Sequence, residues 1–285
     1  WLEACRMVTN LGRPELDVLV AVSFAAPLMN SAGEDGVTIS AYDEGGSGKS
    51  SAMKVGLAVW SNPSQTKEGK KTTEKSLFNK MGELRHLPIY WDELATKAAQ
   101  QKAIDVSFDQ TSGLEGGRLH QNVTQRTRGS WRTIMALAAN VSLVDLVIKD
   151  QPAHRGGVNR VFEYEVGPND PKKLLSPTDV GRKVGTLDYN HGVIGAQYAK
   201  FLGTNFKTVD ADVRDMRKAF ESYGLLTGKA QKSLTISEAE GLIKNYINKN
   251  YDPSNRVSSG ALDELRNAVQ KAISDGAGAS AEGTA

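Results

Sequence analysis

Seven consecutive residues, Gly45, Gly46, Ser47, Gly48, Lys49, Ser50 and Ser51, have the types and the order needed to hold a polyphosphate. Phosphate oxygens bind best to backbone N–H groups, so side chains must be absent where the chain wraps them, and a following helix N-terminus adds to the attraction. Lys49 then reaches the β and γ phosphates, and the hydroxyl of Ser50 binds Mg2+. Asp43 stands where the complete pattern G-x-x-x-x-G-K-[ST] begins with glycine. A carboxylate beside phosphates is unfavourable unless it turns away, although aspartate tolerates left-handed backbone better than most residues, and Gly45 or Gly46 can carry the turn instead. The competing reading is a flexible Gly/Ser loop that contains Gly-Lys-Ser by chance.

Asp92 and Glu93 close a short apolar run, Ile89-Tyr90-Trp91. Asp92 has the chemistry to hold Mg2+ through water, and Glu93 to take the proton of an attacking water as general base. A strand that merely exits into an acidic turn is the plain alternative, but the order strand, GKS, helix, strand, Asp-Glu is much rarer by accident. Asn140 ends the next apolar run, residues 131–139. Its amide either positions the lytic water beside the γ-phosphate or caps a helix that begins near Ser142. The expected ligands are ATP and Mg2+.

These groups need strands that end side by side. Residues 37–42 alternate branched and small residues as a strand does, and residues 49–60 place Ala52, Val55 and Val59 on one helical face. Residues 14–29, 74–84, 96–109 and 142–148 read as helices, and 87–91, 131–139 and 160–166 as strands. Pro88 suits a strand start and would break a helix. Residues 113–129, rich in glycine and arginine, read as a hairpin or ordered loop. Strands alternating with helices imply a mainly parallel sheet with crossovers. Beyond residue 170 only helices are expected, at 190–202, 209–223, 237–250 and 258–274. The expected organisation is an N-terminal helical segment (1–36), an α/β P-loop core (37–170), a small C-terminal helical domain (171–274) and a tail (275–285).

Composition excludes little. Of the 285 residues 39% are hydrophobic and 24% charged, as in an ordinary soluble protein. A formal net charge of +2 is too small to imply a nucleic-acid partner; only local arginine clustering argues for one. The single cysteine, Cys5, excludes an internal disulfide, and His86, His120, His154 and His191 have no metal-ligand spacing. The apolar run 18–29 is shorter than a bilayer span and ends near Pro27. No secretory signal opens the chain. A cytoplasmic setting without a membrane partner is expected, and the start at Trp1 suggests a piece of a larger polypeptide.

From residue 16 to residue 166 the chain resembles the ATPase domain of phage and plasmid primase-helicases. That family, long described as a domain of unknown function in mobile-element replication proteins, is related to superfamily 3 and RecA-like hexameric helicases. The resemblance is carried by SFAAPLMN, GGSGKSS with its trailing LAVW, KKTTEKSLFNKMGELRHLPIYWDE, TSGLEGGR, WRTIMALAAN and GGVNRVFEYEV. It implies a RecA/AAA+-like core working as a ring, a hexamer in such helicases. ATP would lie between subunits and single-stranded DNA in the pore, with a primase or polymerase domain in the same parent chain. It also implies a bacterial or phage-infected cytoplasm. An arginine from the neighbouring subunit then stabilises charge on the transferring phosphate; Arg160 is the first candidate, with pairing to Glu163 or Glu165 as its alternative, and Arg155 the second. Related ring helicases place a pore hairpin in the segment that here carries Arg118, His120, Arg126 and Arg128. The alternatives for these arginines are a solvated basic loop or contact with ATP in the next subunit. At the level of the whole protein the rivals are a DNA-packaging or clamp-loader-like ATPase and a non-motor regulatory P-loop ATPase.

Overall fold

The computed structural model describes residues 1–116, 128–150, 161–167 and 176–222. Arg118, His120, Arg126, Arg155, Arg160 and the helices expected at 237–250 and 258–274 lie outside the described residues. The chain divides into two compact units, Trp1–His191 and Gly192–Ala285.

The first unit is built on four strands, β1 (Gly36–Tyr42), β2 (Ile89–Leu94), β3 (Thr133–Ala139) and β4 (Val161–Glu165), in the spatial order β2-β3-β1-β4. All the pairings are parallel. Parallel strands need crossovers, and the helices that supply them cover both faces, which is why the central strand β3 is buried at all seven positions. The chain leaves β1 for β2, returns to β3 between them, and then passes to β4 on the far side of β1. Connections that part in opposite directions open a crevice at the carboxyl ends of β1 and β3, where α/β sheets bind ligands.

On one face lie α1 (Leu2–Thr9), α2 (Pro14–Ala25) and α4 (Lys49–Leu57). On the other, α6 (Glu74–Leu84), α7 (Lys97–Gln110) and α8 (Leu143–Asp150) share one apolar cluster with alternate strand residues: Leu77, Met81, Trp91, Met135, Leu137 and Val147. Each such side chain fully removed from water contributes about 1.5–3 kcal/mol. Phe78 stacks on Trp131, centroids 5.8 Å apart, and the indoles of Trp60, Trp91 and Trp131 each donate to a main-chain carbonyl. Trp91 and Trp131 are buried, and Trp60 is half-buried.

Pro14–Ala32, comprising α2, a 3-10 turn and α3 (Met29–Ala32), is long and apolar enough to cross a bilayer by composition alone, longer than the run 18–29 suggests. In this fold its residues Leu16, Leu19, Val20, Val22, Ala26 and Met29 are buried, and α2 packs along α4, as a core helix does. The short α5 (Pro63–Thr66) is capped by Asn62, whose side-chain amide also donates to Asp188 O at 2.9 Å. After it, α9 (Pro177–Gly185) packs on α1 and α4. The described part of the second unit is two helices, α10 (Val193–Thr204) and α11 (Phe206–Ser222).

Beneath the phosphate-type loop, α2, α4 and β2 meet at one polar knot. Ser23 Oγ and Tyr90 Oη lie 2.8 Å apart, with Gly56 O and Leu19 O as their carbonyl acceptors at 2.6 and 2.8 Å. Burial drives the Tyr90 phenol well above its ordinary pKa. A Cβ on Gly56 would stand 2.3 Å from Tyr90 Oη and 2.9 Å from Leu19 O. Gly56→Ala is therefore expected to destabilise the fold by roughly 2 kcal/mol or more. Gly181→Ala, at a helical site with nothing within 4 Å, is expected to stabilise it by up to ~1 kcal/mol. Urea unfolding measures both; equal shifts would contradict the close packing of α4 on β2.

Candidate active site

Six residues connect β1 to α4. Gly46 and Gly48 hold φ of 88° and 96°, a left-handed conformation that only glycine adopts without strain. A Cβ on Gly45 or Gly46 would meet nothing within 4 Å, whereas one on Gly48 would come within 3.2 Å of Leu16 Cδ1. The middle of the loop is thus open and its helical end is packed. Asp43 Oδ1 accepts the amide of Glu44 at 2.7 Å, so this carboxylate is turned onto its own backbone. Asp43 N in turn donates to Ala139 O at 3.3 Å, which ties the loop to the end of β3.

Lys49 is 7% exposed at the head of α4. Its Nζ donates to Asp43 O (2.9 Å), Glu44 O (3.2 Å) and Ser47 Oγ (2.8 Å). Burial lowers its pKa, against the raising fields of Asp43 and Asp92, while Arg13 lowers it further. Asp92 therefore lies within electrostatic reach of this ammonium from a strand two places away, on the order of 10 Å across the sheet.

The acidic pair sits in a β-bulge. The β2–β3 register shifts between Trp91 and Leu94, so both side chains enter the same apolar cluster although strict alternation would place them on opposite faces. The intervening Asp92 and Glu93 absorb the mismatch. Asp92 is 4% exposed; its Oδ2 accepts Lys67 Nζ and its Oδ1 accepts the Glu93 amide, both at 2.9 Å. Glu93 has φ 68° and a side chain 65% exposed. Left-handed backbone at a non-glycine residue costs roughly 1–2 kcal/mol and gathers at functional sites.

Asn140 follows β3, between the ends of β1 and β2, and is exposed. Sequence left it the choice of helix cap, and other residues fill that role. Ser142 Oγ accepts the amide of Asp145 at 2.9 Å, and the Glu163 carboxylate on β4 accepts those of Leu143 and Val144 at 2.8 and 3.2 Å. Glu163 also receives the hydroxyls of Ser40 and Ser142.

Arg128 lies at the base of the segment expected to form a hairpin. Leu114 bridges Ser130 antiparallel, Glu115 N donates to Gly129 O at 2.8 Å, and Arg128 Nε donates to Glu115 O at 2.6 Å. This base adjoins the start of β3, so the seven-residue strand separates it from Asn140 by about 20 Å.

Two residues that sequence did not single out complete the site. Arg13 donates to Ser47 O at 3.0 Å and to Val166 O and Gly167 O at 2.8 Å each, clamping the loop to the end of β4. Lys67 neutralises Asp92. Both act across gaps in sequence that no local pattern spans, 34 residues for Arg13 to Ser47 and 25 for Lys67 to Asp92.

Residues 5–113 match the family model described as Domain of unknown function, DUF927. No curated protein matches the chain. The fold is similar to that of a solved structure of the SCCmec type IV Cch active helicase, with a TM-score of 0.53 and 15% sequence identity, over 90% of this chain and 48% of that one. The chain thus spans about half the length of that helicase, and the likeness is one of fold.

The capping geometry separates Asn140 from Ser142 by experiment. Ser142→Ala is expected to lower stability by about 1 kcal/mol, whereas Asn140→Ala is expected to change it by less than ~0.5 kcal/mol. Chemical denaturation of the two variants reads this directly. A destabilisation by Asn140→Ala as large as that by Ser142→Ala would return Asn140 to a structural role.

Proposed function

We propose that this chain is the motor of an ATP-dependent nucleic-acid translocase, a replicative helicase of the phage or plasmid primase-helicase type that acts as a homo-oligomeric ring. One observation carries the reading: the strand order sets Lys49, buried at the head of α4 after β1, and Asp92, buried on β2, on either side of the strand that leads into Asn140. The helicase fold of the solved relative, the family match over residues 16–113 of the resemblance, which include IYWDE, and the antiparallel bridge before β3 support it.

The groups fit Mg2+ and ATP. The space beside Gly45 and Gly46 is open to a phosphate, the Lys49 ammonium now sits on loop carbonyls that a phosphate would replace, and Asp92 already accommodates a cation. Among the described residues no three His, Cys, Asp or Glu side chains are placed to hold a metal, so the ion would share Ser50 and Asp92 with phosphate oxygens and water. When bound, Mg2+ supplies charge neutralisation along the phosphates. The amides of residues 45–51 orient the triphosphate. Glu93, outermost of the pair, takes a proton from water as its oxygen attacks the γ-phosphorus and the bond to the ADP oxygen breaks, and Asn140 aligns that water. Arg160, with Arg155 as second choice, would act on the neighbouring subunit's phosphate. Arg118, His120 and Arg126, with Arg128 at the hairpin base, would bind the backbone of single-stranded DNA. A hexamer, a primase or polymerase domain in the parent chain, and a cytoplasmic setting without membrane attachment belong to the same proposal.

Single-stranded DNA is expected to stimulate ATP hydrolysis by the chain. Lys49→Ala is expected to abolish nucleotide binding, while Glu93→Gln keeps binding and loses about a hundredfold or more in turnover. Mixing Arg160→Ala with Lys49→Ala subunits restores hydrolysis at some interfaces if the arginine acts across them. An ATPase indifferent to DNA, or a Glu93→Gln variant with full turnover, would refute the motor reading.

A second expectation concerns DNA. Arg126→Ala with Arg128→Ala is expected to weaken binding and to flatten the slope of log affinity against log salt by up to about 1.4, two phosphate contacts on a single strand. Fluorescence anisotropy over a salt series measures it, and an unchanged slope would remove the hairpin from the DNA path.

A further inference from the structure

The segment leading from α5 to α6 holds Lys67 in a fixed place. Glu68 N donates to Tyr90 O at 2.9 Å and Asp92 N donates to Glu68 O at 3.0 Å, a short parallel bridge along the edge of β2. The Glu68 carboxylate is paired with Lys80 and receives the Thr72 hydroxyl at 2.7 Å. Lys102 Nζ donates to Thr72 O at 3.1 Å. Helices α6 and α7 therefore pin the strap on both sides of the bridge. From it, Lys67 reaches Asp92 Oδ2 at 2.9 Å, with side chains only 19% and 6% exposed, and stands 4.0 Å from Glu93 Oε1.

Asp92 is the carboxylate read above as the partner of the divalent ion, and this inference rests on that reading. A buried carboxylate without a counter-charge is unfavourable, so a cation must be resident before the metal arrives. Ammonium and a hydrated divalent ion cannot both occupy the approach to Asp92 Oδ2. We propose that Lys67 is a place-holding cation that competes with the metal for Asp92 and is displaced when a divalent ion enters together with the triphosphate. Once released, its nearest acidic neighbour is Glu93, and the ammonium then holds the exposed carboxylate in position. Lys67 is thus a positioning residue that makes metal binding depend on nucleotide: the ion alone lacks enough ligands to displace it, while the ion with phosphate oxygens has them.

The test titrates Mn2+ into the whole chain, with and without the slowly hydrolysed analogue ATPγS, following free Mn2+ by paramagnetic resonance. Lys67→Gln is expected to lower the half-saturating Mn2+ concentration about tenfold or more and to weaken its dependence on ATPγS. Lys67→Arg, which keeps the charge, is expected to stay near the wild type. In thermal unfolding without metal, Lys67→Gln is expected to lose stability and to recover more on adding Mn2+ than the wild type does. Unchanged Mn2+ affinity in a Lys67→Gln variant that still binds ATPγS overturns the place-holding role alone. A variant whose stability is lost and not recovered by Mn2+ assigns Lys67 to structure and overturns it too. A wild type that binds no ATPγS removes the phosphate-site reading, and this inference with it.

Discussion

The charge of Lys49 lies at the head of a helix, almost out of water, and is held by two main-chain carbonyls and a serine hydroxyl of its own loop. An ammonium so placed needs opposite charge within reach, and the loop supplies it from Asp43 and the sheet from Asp92. Much of the surrounding structure serves that arrangement. Glycines at 46 and 48 let the loop turn, Arg13 clamps its Ser47 carbonyl to the end of β4, and Ala139 O accepts the Asp43 amide at its start. Below the loop, the Ser23–Tyr90–Gly56 knot fixes the rotation of α4 against β2, and so fixes where Lys49 stands relative to Asp92.

Strand order does the rest. With β3 between β1 and β2, the loop, Asn140 and the acidic pair end up side by side along one edge of the sheet, with a gap of about 10 Å between the outer two. Strand β3 is buried along its whole length and begins just after Ser130, which bridges Leu114 antiparallel. Glu163 shows the same economy of placement: one carboxylate on β4 caps α8 and so leaves the Asn140 amide free of that task.

What sequence made legible was local. The loop from 45 to 51 could be read because its glycines, lysine and serines are contiguous and sit between a strand and a helix. Alternating elements implied a mainly parallel sheet, and the pairings among its four described strands are all parallel; Ala52, Val55 and Val59, which periodicity put on one helical face, are buried. Less legible were features created by contact. Strand β2 runs through Asp92 and Glu93 to Leu94, beyond the expected end at residue 91, because a bulge lets Leu94 regain the core. The left-handed Glu93, the Arg13 clamp and the Lys67–Asp92 pair depend on partners brought together only by the fold. Whether Asn140 caps a helix was open in sequence because Glu163, which accepts the amides of Leu143 and Val144, lies on another strand.

The most direct test of the phosphate site is a crystal structure of the chain with Mg2+ and a non-hydrolysable ATP analogue. The expected result has the β and γ phosphates within the amides of residues 45–51 and Lys49 Nζ moved from the Asp43 and Glu44 carbonyls to phosphate oxygens. The ion would lie between Ser50 and Asp92, and Lys67 would be off Asp92 Oδ2. A nucleotide bound elsewhere, with Lys49 still on the loop carbonyls and Lys67 still on Asp92, would contradict it.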